Sequence, residues 1–211
     1  MKKLKLAVLV SGGGTNLQAL IDAQKEGVLR SAEIAVVISS NPNAYAIERA
    51  VNNQIPAELA WRKELGSQDV FEEHLIRYLD RYEVDLIVLA GFMSILSSSF
   101  TKRYENRIIN VHPSLIPSFC GKGYYGLRVH EEALAYGVKV TGATVHFVNE
   151  VPDGGKIILQ KAVKILDDDT PKTLQKRVMR LAEWKILPRA VQLFCDDMIE
   201  VKDNKVFIKG E

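Results

Sequence analysis

LKLAVLVSGGGTNLQALIDAQKEG, residues 4–27, decides the fold. Residues 4–10 are an apolar run of strand length. Residues 15–27 place apolar side chains at helical spacing and close on Gly27. Three glycines stand between the two segments. Strand-like and helix-like segments keep alternating downstream. EIAVVIS (33–39) is a strand, and a helix is expected from Pro42 to about Asn53, followed by a short extended piece near Ile55–Leu59. Residues 68–82 carry the i, i+3, i+4, i+7 pattern of a helix. VDLIVLA (84–90) is apolar almost throughout, as a strand buried on both faces would be. SSSFTKRY (97–104) is a short helix and RIINVH (107–112) the next strand. Such alternation predicts an α/β fold with a doubly wound, mainly parallel, Rossmann-like sheet.

The pattern changes after residue 113. The stretch from Pro113 to Gly126 holds two prolines and three glycines and reads as a loop. VHEEALAYG (129–137) is a helix. KVTGATVHFVNE (139–150) and KIILQKAVKI (156–165) are strands joined by the short turn VPDGG, so they are expected to be antiparallel. A helix of about 25 residues then opens on capping residues and Pro171, with a kink expected at Pro188. The tail reads as a hairpin turning at Asp203-Asn204. One domain over 1–211 is expected, in two halves, 1–105 and 106–211.

The totals narrow the class. The chain has 211 residues, a net charge of +2 and 47% hydrophobic residues, enough for one well-buried core. No run of like charges points to nucleic acid or an anionic membrane. No apolar stretch reaches the ~18–20 residues needed to span a bilayer, and the basic, apolar start fits a buried strand better than a signal peptide. Cys120 and Cys195 lie far apart, outside metal-type spacing, and read as free thiols in a reducing cytoplasm.

Four features carry chemistry, and each has a plainer reading beside it. SGGGTN (11–16) opens a helix after a strand. Backbone N–H groups at a helix start bind anions, and glycines let a phosphate come close. A tight turn would also call for glycines, and the spacing is neither G-x-G-x-x-G nor a Walker A motif. Asn110 and His112 lie two apart at a strand end, so they share a face. An amide there can stabilise an oxyanion and an imidazole can move a proton; a structural pair fits equally. Asp153, in a DGG turn, would orient a nearby His112 and favour its charged form, although Asp-Gly is common turn chemistry. Glu183 sits among Leu181, Trp184 and Leu187 and reads locally as the edge of a core stripe. His146, in TVHFV, reads as a strand histidine with a hydrogen-bond partner.

Taken together, VLVSGGGTNLQALID, SNPNAYAIERA, DLIVLAGFMSIL, INVHPSLIP and TGATVHFVNEVPDGGKIILQ, with the closing helix, resemble the phosphoribosylglycinamide formyltransferase family. The resemblance runs from about Leu6 to about Ala190. It implies a single formyltransferase domain with a phosphate-binding half and a catalytic and folate half. Asn110, His112 and Asp153 then correspond to the catalytic trio, with Asp153 raising the pKa of His112. Gly13, Gly14, Thr15 and Asn16 correspond to the substrate-phosphate loop, and Glu183 to a contact with the glycinamide. Gln68, Met93, Ser94, Ile95, Leu96 and Asn110 correspond to the folate side. Ser94 stands where many members have arginine, and Gln68 where a basic residue often reaches the folate, so the resemblance implies mainly backbone contacts there. The loop from Phe119 to His130 is longer than in some members, and Arg128 replaces a histidine.

The implied reaction moves a formyl group from 10-formyltetrahydrofolate to the amine of phosphoribosylglycinamide in purine synthesis, with no metal. The implied partners are small molecules only, without nucleic acid or membrane, for a cytoplasmic monomer or homodimer. Two rivals are a formyltetrahydrofolate hydrolase and a non-catalytic nucleotide-binding module.

Overall fold

The computed structural model describes residues 3–210. The chain divides into two compact units between Ile109 and Asn110. The first unit runs β1 (Leu4–Val10), α1 (Thr15–Lys25), β2 (Ala32–Ser39), α2 (Tyr45–Asn52), β3 (Ala57–Leu59), α3 (Arg62–Leu65), α4 (Gln68–Arg81), β4 (Leu86–Leu89) and α5 (Ser98–Arg103). β5 (Ile108–His112) carries the boundary. The second unit continues with α6 (Leu127–Tyr136), β6 (Val140–Phe147), β7 (Ile157–Lys164), α7 (Pro171–Val178), α8 (Trp184–Cys195) and the strands β8 (Ile199–Lys202) and β9 (Lys205–Ile208).

The main sheet has seven strands in the order β3-β2-β1-β4-β5-β6-β7. β1 pairs in parallel with both β2 and β4, and β2 in parallel with β3. Parallel strands with helical crossovers are covered on both faces, which is why these strands are apolar almost throughout. Leu6, Ala7, Val8, Leu9 and Val10 are all fully buried. Each of the larger ones contributes about 1.5–3 kcal/mol over leaving the side chain in water. The switch to antiparallel pairing expected of the late strands is present in β6 and β7. The closing hairpin is also present: β8 and β9 pair antiparallel, and Asp203 and Asn204 both take positive φ at its turn.

Three boundaries differ from the sequence expectations. The helix expected at Pro42 begins at Tyr45. The intervening residues are held as a turn, with the Asn43 amide donating to Asn41 Oδ1 at 3.0 Å and the Ser39 hydroxyl to the Asn41 carbonyl at 2.7 Å. The strand expected to reach residue 150 stops at Phe147, because Asn149 Oδ1 accepts from the Val151 amide at 3.0 Å and turns the chain. The long closing helix is interrupted upstream of Pro188, by a π-helical turn at Met179–Glu183, where the Trp184 amide donates to the Met179 carbonyl. Its buried positions Leu174, Val178, Ala182, Ile186 and Ala190 recur every four residues. That spacing drifts about 40° per step around an α-helix. One wider turn offsets part of that drift. The expected N-terminal cap is present: Thr170 and Thr173 form a reciprocal capping box, with Pro171 in the first turn.

Candidate active site

The first unit builds its loops from backbone. Gly14 is the N-cap of α1, at φ 68 and ψ 33, and no side chain caps the helix. A Cβ on Gly14 would stand 2.7 Å from Ala46 Cβ and 2.9 Å from Ala46 Cα, so glycine is required both by φ and by space. Nothing lies within 4 Å of where a Cβ would stand on Gly12 or Gly13. The loop is fixed from outside: Arg49 Nε donates to the Gly13 carbonyl at 2.8 Å and the Ala46 amide to the Gly12 carbonyl at 3.1 Å. Arg49 Nη1 also donates to Gln18 Oε1 at 2.9 Å. With the first turn of α1 pointing its N–H groups beyond the helix end, this is an open cradle suited to an anion. Thr15 and Asn16 are the first residues of that turn.

Residues Met93–Leu96 are joined to the same loop. The Met93 amide donates to Ser11 Oγ at 2.8 Å, and the Ser11 amide to the Gly91 carbonyl at 3.1 Å. Gln68 spends its amide nitrogen on the Ile95 carbonyl at 3.0 Å and on Glu72 Oε1 at 2.6 Å. Buried Glu72 also accepts from the amide and hydroxyl of Ser97, at 2.6 and 2.5 Å. Gln68 therefore fastens this loop, and sequence reasoning missed its partner Glu72. Met93 and Ile95 present exposed side chains, whereas Leu96 is buried.

The second unit builds its site from side chains. Asn110 and His112 leave the end of β5 on the same face. His146 of β6 joins them to Asp153. Its Nδ1 faces the Phe147 carbonyl at 2.8 Å and must donate, since a carbonyl only accepts. In the neutral ring, Nε2 then accepts from Asn110 Nδ2 at 3.1 Å, which fixes the Asn110 amide. Asp153 Oδ2 lies 3.4 Å from His112 Nδ1, and its Oδ1 lies 3.6 Å from His146 Nε2. Asp153 has φ 56. Two residues on, a Cβ on Gly155 would fall 1.7 Å from the Phe147 carbonyl oxygen, so only glycine lets this turn fold against β6. His146 was the residue that sequence reasoning undervalued. Its signal was its place in TVHFV, upstream of the DGG turn.

Burial is the largest influence on His112 and lowers its pKa; Asp153 and the Phe119 carbonyl oppose this, and His146 adds to it. The expectation that Asp153 raises the histidine's pKa holds for that contact, although the net shift is downward. The carboxylate pulls in that direction, but the loss of water around a ring with His112's burial outweighs it. For Asp153, burial pushes up, but His146, His112 and the Gly121 amide together hold the carboxyl below its ordinary value. His130 is fully buried, and burial, then the nearby His112, pushes it down to about 4. Cys120 is half-buried; burial, then Asp153, raises its thiol, which makes it a weak nucleophile.

A buried hydroxyl supports the loop after Pro113. Thr144 Oγ1 donates to the Ser114 carbonyl at 2.7 Å and accepts from the Ile116 amide at 3.1 Å and Gln160 Nε2 at 3.0 Å. Glu183 is buried at the end of the π-helical turn, not on a solvated edge. Among the described residues, no group of three metal-ligating side chains is arranged to hold a metal ion, and no helix is long and apolar enough to cross a membrane.

The arrangement provides hydrogen-bond donors and a carboxylate-flanked imidazole on one hand and an anion cradle on the other. Comparison with known proteins gives it a family. The chain is 41% identical over 207 residues to the phosphoribosylglycinamide formyltransferase of Haemophilus influenzae, covering 98% of this chain and 94% of that one. It is 42% identical over 203 residues to the human trifunctional purine biosynthetic protein adenosine-3, covering 96% of this chain but only 19% of that longer protein. The crystal structure of glycinamide ribonucleotide transformylase 1 from Symbiobacterium toebii superposes with a TM-score of 0.91 at 39% identity, covering 98% of this chain and 94% of that one. The formyl transferase family model matches residues 4–191, and the chain belongs to that family.

Proposed function

We propose that this chain transfers the formyl group of 10-formyltetrahydrofolate to the amine of 5-phosphoribosylglycinamide. The products are formylglycinamide ribonucleotide and tetrahydrofolate, in the de novo synthesis of purine nucleotides. The observation that carries the reading is the Asn110–His146–Asp153–His112 cluster at the end of β5, in a chain matched along nearly its whole length by a formyltransferase of that substrate.

The amine attacks the formyl carbon, forming a C–N bond and a tetrahedral oxyanion. The bond from that carbon to the folate nitrogen then breaks, and the amine's proton passes to the leaving nitrogen. Asn110 and His112 donate N–H groups to the oxyanion. Asn110 keeps a second amide N–H beyond the one given to His146. His112 relays the proton, and Asp153 holds its ring and stabilises the imidazolium that forms. Donors fixed on a strand end need little reorganisation as charge develops. Gly13, Gly14, Thr15 and Asn16 bind the substrate phosphate, Glu183 the glycinamide, and Gln68 with Met93, Ser94, Ile95 and Leu96 the folate, largely through backbone. On this reading the first unit carries the phosphate loop, and the second carries the catalytic groups. The enzyme works in the cytoplasm as a monomer or homodimer on small molecules, apart from nucleic acid and membrane.

The test is the absorbance change of tetrahydrofolate release, run with and without glycinamide ribonucleotide. Acceptor-dependent release is expected. Release without the acceptor points to a hydrolase, and no release under either condition to a binding module.

A further inference from the structure

Ser11 stands just ahead of the proposed phosphate-binding residues Gly13 to Asn16. Three successive carbonyls at the start of this loop are held by donors from the β2–α2 connection and from α2. The Ser11 carbonyl accepts from Asn41 Nδ2 at 3.1 Å, the Gly12 carbonyl from the Ala46 amide at 3.1 Å and the Gly13 carbonyl from Arg49 Nε at 2.8 Å. The other two polar groups of Ser11 reach instead to the segment after β4. Its amide donates to the Gly91 carbonyl at 3.1 Å, and its hydroxyl oxygen accepts from the Met93 amide at 2.8 Å. The same hydroxyl shares a hydrogen bond with Ser40 Oγ at 2.6 Å, which fixes its orientation.

The segment after β4 is therefore fastened at two ends, to different elements. Its near end turns at Gly91, φ 73, and closes on Ser11. Its far end is tied to α4: Gln68 Nε2 donates to the Ile95 carbonyl at 3.0 Å, and Glu72 accepts from the amide and hydroxyl of Ser97 at 2.6 and 2.5 Å. Between these ties the side chains of Met93 and Ile95 are 52% and 69% exposed. Packing against the core thus does little to place this stretch, and the hydrogen bonds at its ends set the path of its backbone. Of the two fastenings, only the one at Ser11 also belongs to the glycine loop.

We propose that Ser11 is a positioning residue that couples the two substrates: through its hydroxyl, a phosphate bound on the glycine loop orders the Met93–Leu96 backbone for the folate, and the folate orders the loop for the phosphate. The inference rests on the functional reading given above, which puts the acceptor's phosphate on Gly13 to Asn16 and the folate on Met93 to Leu96. A phosphate held by the loop's N–H groups fixes the loop, and the fixed Ser11 hydroxyl then holds the Met93 amide. The folate no longer has to remove that freedom itself, so it binds more tightly. Linkage makes the effect equal in both directions. A single hydrogen bond carries it, so the coupling is modest, about three- to tenfold in affinity. Because Met93 is half-exposed, water replaces the lost acceptor in Ser11→Ala, and the link is cut without leaving a buried unpaired amide.

Glycinamide ribonucleotide and tetrahydrofolate do not react with each other, so both can be bound at equilibrium. Calorimetry should show tetrahydrofolate binding about three- to tenfold tighter when the parent protein is saturated with glycinamide ribonucleotide. In Ser11→Ala that ratio is expected to fall below about twofold, and in Ser11→Thr, which keeps the hydroxyl, to stay at the parent value. Glu72→Gln should weaken tetrahydrofolate binding yet keep the ratio, because it loosens only the far end of the segment. A merely structural serine weakens both ligands in Ser11→Ala and leaves the ratio intact; that result, or a parent ratio near one, overturns the coupling. Amide hydrogen exchange reads the same link in the parent protein alone. Saturating glycinamide ribonucleotide should slow exchange at Met93, and unchanged exchange there also overturns the coupling. If the parent binds neither compound, the functional reading falls, and exchange at Met93 with and without inorganic phosphate decides whether Ser11 ties the segment to the loop.

Discussion

Two loops at strand ends of the main sheet are built by different means. The loop after β1 is made of backbone: Gly14 is fixed by its own φ and by Ala46, and the surrounding groups, including Arg49, hold its carbonyls. The loop after β5 hangs on side chains, and each of these takes its meaning from a partner far along the chain: Asn110 from His146, and His112 from Asp153. The first kind of site tolerates changes in most side chains and fails when the backbone is altered. The second depends on its backbone too, at Gly155, and in addition fails when one donor is removed.

The largest effect should come from the side-chain site. His112→Ala is expected to lower kcat by about 10²–10⁴-fold, and Asn110→Ala by about 10²–10³-fold. In both, the KM for the phosphorylated acceptor should stay within a few-fold of the parent by steady-state kinetics. Gly14→Ala probes the other loop. It forces a side chain into a left-handed backbone against Ala46, costing about 1–3 kcal/mol of stability. Acceptor KM should rise about tenfold, equivalent to about 1.4 kcal/mol, with kcat nearly kept. The reverse pattern in either variant breaks the division of labour between the loops.

His130 gives a smaller, pH-dependent effect. Its folded value of about 4 lies below its ordinary 6.5, so the unfolded chain takes up the proton first as pH falls. The stabilising influence of the neutral, buried ring is complete above about pH 6.5 and lost progressively down to about pH 4, amounting to roughly 3 kcal/mol at the acid end. His130→Phe should flatten that acid limb, read as urea midpoints at about pH 7.5 and about pH 4.5. Smallest of all, Arg49→Gln removes the hydrogen bond to the Gly13 carbonyl together with the one to Gln18. It should raise acceptor KM only a few-fold, in keeping with about 0.5–1.5 kcal/mol for a hydrogen bond.

The same contrast explains what could be read in advance. Glycines at 12–14 between a strand and a helix announce a backbone site, Gly14 because few other residues accept its φ, and alternating apolar runs announce a parallel sheet. Asn110 and His112 were visible as a pair because their spacing of two places them on one strand face. The role of His146 was not visible, because it depends on a pairing across 36 positions. The net fall in His112's pKa was not visible either, since sequence shows a carboxylate partner but not burial. The π-helical turn was not visible because Pro188 was the conspicuous breaker and the turn lies upstream of it.

The most direct measurement is single-turnover formyl transfer by the His112→Ala enzyme saturated with both substrates, beside equilibrium binding of each substrate to the same protein. If the cluster at the end of β5 performs the chemistry, both substrates bind within a few-fold of the parent while the transfer rate falls by at least about 100-fold. A near-normal single-turnover rate would contradict the assignment of that step to His112.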